Sequence, residues 1–398
     1  MDRDQQFIQL CRELIRRPST SGQEEAAAKY LESVMASCGF DAVTVDRYGS
    51  VLGRITGKRP GRTVLLDGHI DTVPVDDPGR WTHDPFGAEI ADGKIYGRGA
   101  SDMKGSVAAM VTAAARFAED TGRDFAGSIY VSCTVHEECF EGIAAQEIAQ
   151  AVRPDMVIVG EATSTTLKIG QRGRAEVVVE TEGQSCHSSN PEKGVNAVYH
   201  MAALIEEIRG IEPPVHPVLG RGILELTDII SAPYPGASVV PGLCRATFDR
   251  RTLAGETEES VLAPIQAAIR RVQERIPALR ARTYLAQGQE TCWTGDTIAA
   301  KRFFPAWLMD EEDELVQKAR RGLRQAGIDA PLSHFSFCTN GSGFCGVAGI
   351  PTVGFGPSLE SLAHVADEYI EIEQLLSACR GFQGILSQLC PAGAPPDL

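Results

Sequence analysis

The sequence predicts an α/β protein: a larger domain with a mostly parallel sheet, interrupted by an inserted α+β domain of ferredoxin-like strand order. Its 398 residues exceed the length of one ordinary domain. Val- and Ile-rich runs alternate with helical stretches up to residue 171, and from 172 to 286 the order becomes β-α-β-β-α-β. We therefore predict a discontinuous larger domain of residues 1–171 and 287–398 around an insertion of residues 172–286.

Three helices are predicted in the first 120 residues. An apolar face at helical spacing precedes Pro18, which ends the first helix. Ser21 and Glu24 have the spacing of a capping box before a second helix, which Gly39 ends. A third amphipathic helix is expected from about Met103.

Short apolar runs between these helices predict the strands of the larger domain. The runs at 64–66, 129–135 and 156–159 are flanked by Gly or Pro, as expected for buried strands of a largely parallel sheet. Asp92-Gly93 is a hairpin turn signal.

The same patterns predict the insertion and the C-terminal part. The insertion has predicted strands at 175–180, 223–230, 244–250 and 281–286, and helices at 196–208 and 256–276. Beyond it we expect helices at 311–326 and 371–389 and a strand at 350–355.

The charge balance argues against polyanionic partners. Lys and Arg total 38 against 53 Asp and Glu, a net charge of −15, which is unfavourable for binding nucleic acid or an anionic membrane. Carboxylates are, however, good ligands for divalent metals.

The chain carries no signal for secretion or membrane insertion. No basic segment followed by an apolar one opens the sequence, and no run approaches about 20 apolar residues. The 11 cysteines form no CxxC pair. We therefore expect a cytoplasmic protein whose thiols are reduced and mostly buried.

One nucleotide-binding pattern is present but lacks its context. GSGFCG at 341–346 matches G-x-G-x-x-G, yet Gly349 and Pro351 leave no room for the long helix that must follow. We interpret it as a tight loop. The sequence contains neither a P-loop nor a G-x-S-x-G motif.

Acidic residues and one histidine cluster where predicted strands end, the edge at which open α/β sheets bind ligands. Like charges that converge there repel each other unless cations neutralise them. The residues are His69 and Asp71 after the first run, Glu137 and Glu138 after the second, Glu161 after the third, and Asp102 before a helix.

Each of these residues alone has an ordinary interpretation. An HxD pair is usually a surface or core pair, adjacent glutamates a solvated face, and an Asp before a helix an N-cap. Their coincidence at strand ends favours a metal site instead.

With these motifs, the chain resembles the dinuclear zinc amidohydrolase family of acetylornithine deacetylase, succinyl-diaminopimelate desuccinylase, aminoacylase-1 and carboxypeptidase G. The motifs are GHIDTVPV, GRGASDMKG, the EE pair, GEAT and AHVADEY. Within the family the chain is similar to a branch of selenium-metabolism-linked hydrolases. The resemblance implies that the insertion is a lid and dimerisation domain.

The resemblance also implies a set of ligands. Asp102 would bridge two metal ions, His69 and Glu161 would complete one site, and Glu138 and His364 the other. Zinc is expected, and cobalt or manganese would suit the same donors. Asp71 would orient His69 through its other ring nitrogen. Glu137 would be the general base toward a hydroxide that bridges the metals.

Three further residues are implied to contact the substrate. His187 would reach the active site of the opposite subunit of a homodimer, and Arg251 would bind the substrate carboxylate, although Arg250 beside it is an alternative. Asn340 would contact the substrate or be a plain turn residue. Ser238 stands where the family usually has Asn, so contacts in the lid would differ.

The function implied is hydrolysis of the amide bond of an N-acyl amino acid. A dipeptidase or carboxypeptidase is the first alternative, and a carbamoyl or ureido hydrolase the second. A non-catalytic binding protein on the same scaffold is a different class, and such a protein would be expected to lack the base or some ligands.

Overall fold

A computed structural model describes residues 2–393 of the protein, which divide into two compact units. The larger unit comprises Met1–Gln171, Gln289–Ile298 and Leu308–Leu398, and the smaller unit comprises Arg172–Gly288 and Ala299–Trp307. The predicted insertion and the smaller unit begin at the same residue. The smaller unit also includes a short return segment, because residues 299–307 add a strand to its sheet.

Seven of the eight α-helices within residues 2–393 lie close to predicted positions, and α4 (Ile143–Val152) was not predicted. Within residues 2–393 the α-helices are α1 (Arg3–Ile15), α2 (Glu25–Ser37), α3 (Gly105–Asp120), α4 (Ile143–Val152), α5 (Ala197–Arg209), α6 (Glu258–Arg275), α7 (Glu314–Gln325) and α8 (Ile372–Leu389). Short helical turns occur at Pro78–Arg80, Ala100–Lys104, Pro191–Lys193, Ser342–Val347 and Glu360–Leu362.

The strands confirm the α/β class. In chain order they are β1 (Ala42–Val45), β2 (Val51–Thr56), β3 (Arg59–His69), β4 (Ile90–Ala91), β5 (Lys94–Tyr96), β6 (Ala126–Thr134), β7 (Met156–Val159), β8 (Leu167–Gln171), β9 (Gly173–Glu182), β10 (Val215–His216), β11 (Gly220–Arg221), β12 (Ile223–Ala232), β13 (Leu243–Thr252), β14 (Arg280–Leu285), β15 (Gln287–Thr291), β16 (Thr297–Lys301), β17 (Phe303–Phe304), β18 (Trp307–Leu308), β19 (Leu332–Phe335), β20 (Thr352–Gly354) and β21 (Tyr369–Glu371).

The main sheet of the larger unit is mixed, with parallel strands at its centre. Its strand order runs β1-β2-β6-β3-β7-β20-β8, with β19 beside β8. The four central strands β6, β3, β7 and β20 are mutually parallel. The pairs β1–β2, β2–β6 and β20–β8 are antiparallel. The central strands are buried apolar runs, as parallel strands covered on both faces should be.

The smaller unit has the predicted alternation of strands and helices. Its antiparallel sheet has the order β12-β13-β9-β14, which is the ferredoxin-like arrangement. Helices α5 and α6 cover one face through an apolar core that includes Val177, Phe248 and Ile265. Strand β12 pairs with β13 on one side and ends the sheet order on the other.

Two local predictions differ from the structure. Ser21 and Glu24 do not form a capping box: α2 starts without a side-chain cap, and the Ser21 hydroxyl donates to Asp71. The glycines of GSGFCG lie in a helical turn, Ser342–Val347, rather than in a loop. At Ser21 a partner distant in sequence replaces the local contact that the pattern predicts.

The cysteines are mostly buried, as predicted. No disulfide bond joins them within residues 2–393. Among the helices described there, none is sufficiently long and apolar to cross a membrane.

Helices α7 and α8 approach so closely that glycine is required at their contact. A Cβ on Gly384 would collide with the backbone oxygen of Gly322. Backbone atoms, unlike a flexible side chain, have little freedom to move aside.

We predict that Gly384→Ala destabilises the larger unit, although Ala is favoured over Gly in a helix by about 1 kcal/mol. Overpacking should outweigh this gain and lower the free energy of unfolding by roughly 1 to 2 kcal/mol. Thermal and urea unfolding measure the effect. Arg380→Ala, at an exposed position of α8, is the matched control and should change stability little. A Gly384→Ala protein as stable as the wild type would contradict the close approach.

Candidate active site

The candidate site lies where three neighbouring parallel strands end at one edge of the main sheet. His69 is the last residue of β3, opposite Thr134 at the end of β6. Glu137 and Glu138 follow β6, and Glu161 follows β7. Because β3 lies between β6 and β7, these side chains collect at one edge.

Asp102 stands between two histidines. One carboxylate oxygen, Oδ1, lies 3.0 Å from His69 Nε2, and the other, Oδ2, lies 3.2 Å from His364 Nε2. Each oxygen therefore faces a different imidazole, which is the arrangement required of a bridging carboxylate.

The remaining acidic groups divide between the same two histidines. His69 Nε2 lies 3.6 Å from Glu161 Oε1 and 3.9 Å from Glu137 Oε2. His364 Nε2 lies 3.0 Å from Glu138 Oε2. Two sets of possible metal ligands have donor atoms that all lie within 4.8 Å of one another. One set is His69, Glu137 and Glu161, and the other is His69, Asp102 and Glu138.

Asp71 acts differently from the expectation. The contact with the second ring nitrogen of His69 is made by the backbone oxygen of Asp71, 2.9 Å from Nδ1, while the carboxylate is 3.6 Å away. That carboxylate accepts the backbone N–H groups of Glu137 (3.0 Å) and Glu138 (3.1 Å) and the Ser21 hydroxyl. Asp71 thus orients His69 through its main chain and holds the glutamate turn through its side chain.

Burial perturbs the acidic groups strongly. It raises the pKa of Glu161 to about 8 and also raises the pKa values of Glu137 and Glu138, with neighbouring carboxylates adding to the effect. Burial alone would also raise the pKa of Asp102, but its bonds with the two histidines lower it. Hydrogen bonds with Asp102 and Glu138 raise the pKa of His364 to about 10.

These features fit divalent cations. Several carboxylates packed into one buried edge either stay protonated or pair with protonated histidines, unless metal cations are present. Glu137 Oε1 is buried and has no hydrogen-bond partner among residues 2–393, although a buried carboxylate oxygen normally has one. The donor set of imidazoles and carboxylates without thiolate suits zinc, cobalt or manganese.

Asn340 is buried, and its side-chain amide bonds to three other segments of the larger unit. It is 2% exposed, and its Nδ2 donates to Asp67 (3.0 Å) and Thr134 (2.8 Å), while its Oδ1 accepts from Gly142 N (3.0 Å). The amide is therefore occupied by the ends of β3 and β6 and by the start of α4. Sequence alone missed this because all three partners are remote along the chain.

The two other predicted substrate residues lie in the smaller unit. His187 is exposed, and its Nδ1 accepts from the Ser189 backbone N–H (3.1 Å) and approaches the Ser189 hydroxyl (2.7 Å). Arg251 Nε donates to Asp249 at 2.9 Å, whereas Arg250 is buried and paired with Glu256. Arg251 is thus the more accessible of the two neighbouring arginines.

Two buried residues behind the site were not connected with it from sequence. Glu24, fully buried, accepts the backbone N–H groups of Gly22 (2.9 Å) and His136 (3.4 Å), and burial raises its pKa to about 8. Lys104 is also fully buried and donates to Arg17 O at 2.7 Å, and burial lowers its pKa to about 7.

A buried ion pair was also not predicted from the sequence. Glu368 binds Arg98 at 2.7 Å, and the two residues belong to the AHVADEY and GRGASDMKG motifs. The acidic pair in AHVADEY was the only signal that could have indicated it.

The chain has recognisable relatives. The sequence profile of "Peptidase family M20/M25/M40" matches residues 65–388. "Uncharacterized protein YgeY" of Escherichia coli K12 is 33% identical over 362 residues, covering 90% of this chain and 88% of that protein. A protein of Cereibacter sphaeroides ATCC 17025 named succinyl-diaminopimelate desuccinylase is 31% identical over 384 residues, covering 92% and 94%.

Solved structures share the fold. The crystal structure of aminopeptidase PepT from Bacillus cereus ATCC 10987 superposes with a TM-score of 0.74 at 19% identity, covering 97% of this chain and 98% of PepT.

We predict that Asn340→Ala lowers the free energy of unfolding by roughly 2 to 4 kcal/mol, because it leaves buried groups of several partners unsatisfied. Thr134→Val, which removes one of these bonds, should cost less. Thermal unfolding of the two variants against the wild type measures both effects. Unchanged stability of Asn340→Ala would instead favour a role in substrate binding.

Proposed function

Because the chain belongs to peptidase family M20/M25/M40, we propose that it removes the acyl group from an N-acyl amino acid by metal-dependent amide hydrolysis. Membership makes the chain a hydrolase of amide or peptide bonds. The desuccinylase relative, at 31% identity over nearly the whole chain, supports the narrower substrate class.

The position of Asp102 between His69 and His364 carries the proposal. His69, Asp102 and Glu161 would hold one divalent ion, and Asp102, Glu138 and His364 the other. Zinc is the expected metal, and cobalt or manganese would be accepted by the same donors.

A bound pair of divalent ions supplies a Lewis acid for the substrate carbonyl and lowers the pKa of a water molecule. Glu137 would take the proton of that water at its free Oε1 and then deliver it to the leaving amine. Its main chain is held by Asp71, so the carboxylate faces the reacting groups in a fixed orientation.

His187 and Arg251 would bind the substrate. Because His187 Nδ1 accepts a backbone hydrogen bond, the neutral ring carries its proton on Nε2, which would donate to the oxyanion formed from the amide carbonyl. The Arg251 guanidinium, positioned by Asp249, would bind the carboxylate of the amino acid.

A homodimer formed through the smaller unit would bring His187 to the partner's active site. Strand β12 offers an unpaired edge with exposed Ile229 and Ile230, and exposed apolar edge strands favour pairing with another chain. The partner contribution would make the dimer necessary for activity.

We predict that the zinc- or manganese-loaded protein hydrolyses N-succinyl or N-acetyl amino acids and that Glu137→Gln lowers kcat by about 10²- to 10⁴-fold with metal still bound. Assays run on N-acetyl, N-succinyl, N-carbamoyl and dipeptide substrates, with metal content measured in parallel. Glu147→Gln, which alters an exposed glutamate on α4, is the control and should retain full activity.

Exclusive cleavage of dipeptides or of N-carbamoyl substrates would replace the deacylase proposal by the corresponding alternative. Absence of any hydrolysis by the metal-loaded protein would favour a binding protein. Unchanged kcat in Glu137→Gln would refute the general-base assignment.

We predict that Ile230→Lys yields monomers with strongly reduced activity, because it places a charge on the β12 face of the proposed interface. Light scattering measures the mass, and Val45→Lys, at an exposed position of the larger unit, is the matched control. Inactive His187→Ala and Glu137→Gln chains, when mixed, should regain activity in mixed dimers, because one of the two sites is then intact. A fully active monomer would refute the contribution of His187 in trans.

A further inference from the structure

Regular secondary structure does not hold Asp102 in place. Helix α3 begins only at Gly105, and the preceding turn contains Gly99 with φ +84° and Asp102 with φ −127° and ψ +92°, outside the helical region. The direction of the Asp102 carboxylate must therefore be set by contacts with other segments.

Glu368 supplies most of those contacts. Its Oε1 accepts the backbone N–H groups of Ser101 (2.8 Å) and Asp102 (3.0 Å), and its Oε2 accepts that of Gly99 (3.1 Å). Its backbone oxygen also accepts from Gly97 N at 2.8 Å. The side chain has no solvent exposure, so water does not compete for these bonds.

Arg98 connects the same carboxylate to the segment that carries His364. Its Nη1 donates to Glu368 Oε2 at 2.7 Å and to the backbone oxygen of Val365 at 3.3 Å. His364 directly precedes Val365 and has φ +63°, a conformation that needs support from its surroundings. The Arg98–Glu368 pair thus ties the Asp102 turn to the His364 loop.

We propose that Arg98 and Glu368 are positioning residues that set the separation of Asp102 from His364 and thereby the affinity for the ion held with Glu138. This inference rests on the proposed function, because it assumes the two-ion centre. The other ion should depend less on the pair, because His69 and Glu161 come directly from the ends of β3 and β7. Loss of the pair should therefore weaken one site selectively.

Glu368→Gln is the informative substitution. An amide offers one oxygen to the Ser101 and Asp102 N–H groups but turns a donor toward the Gly99 N–H and Arg98, so the turn loses part of its support. Residues that orient ligands typically change metal affinity 10- to 100-fold, and we expect a weakening of about that size for one ion.

The test is a titration of metal-free protein. Protein stripped with a chelator is titrated with Co²⁺ while visible absorption is followed, and Zn²⁺ affinity is measured by competition with a chromophoric chelator. Glu180→Gln is the matched control, because Glu180 is an equally buried carboxylate with Arg245 and Arg282 as partners in the smaller unit. Thermal unfolding of the metal-free variants reports folding separately.

Selective weakening of one ion in Glu368→Gln, with both ions bound normally by Glu180→Gln, would support the inference. Normal binding of both ions, or equal weakening of both in a folded protein, would overturn it. If Glu368→Gln does not fold, Arg98→Gln decides: it removes the charge and shortens the side chain, which weakens the bonds that Arg98 Nη1 makes to Glu368 and Val365. A selective loss of affinity for one ion then supports the inference, and unchanged affinity refutes it. A wild-type chain that binds fewer than two ions would refute the metal centre itself.

Discussion

The parallel pairing of β3 with β6 and β7 is the constraint on which the rest of the site depends. It forces the segments after three strands to one edge, and in this chain those segments carry acidic side chains and a histidine. Burial then makes each negative charge costly, as the raised pKa values of Glu137 and Glu161 show. A pair of divalent cations would neutralise these negative charges and remove the repulsion between them.

Behind the proposed ligands lies a second set of buried carboxylates with a different task. Asp71 accepts the N–H groups of the glutamate turn, Glu24 that of the preceding His136, and Glu368 those of the turn containing Asp102. Each of these carboxylates accepts main-chain N–H groups, so it orders a loop that a sheet edge alone would leave free. The orientation of the proposed metal ligands therefore depends on buried carboxylates that are not themselves proposed ligands.

Sequence reasoning succeeded where a local pattern had a local cause. His69, Glu138 and Glu161 were predicted to stand at or after strand ends, where the structure has them, because short apolar runs indicate where strands end. It did not predict hydrogen bonds to distant partners. Ser21 bonds to Asp71 instead of capping α2, and Asn340 bonds to residues at the ends of β3 and β6 and at the start of α4. A polar residue at a turn has several possible hydrogen-bond partners, and their distance along the sequence does not indicate which one it will bind.

The sequence by itself determined the α/β class, the insertion and the strand ends at which the acidic residues stand, because periodicity and turn residues act within a few positions. Only the tertiary structure decided that Asp102 faces two histidines and that Glu368 supports it. Asp102 and Glu368 are 266 positions apart, and their contact exists only once the chain has folded and excluded water from both. Hydrogen-bond direction and burial depend on that arrangement in space, and no local pattern encodes it.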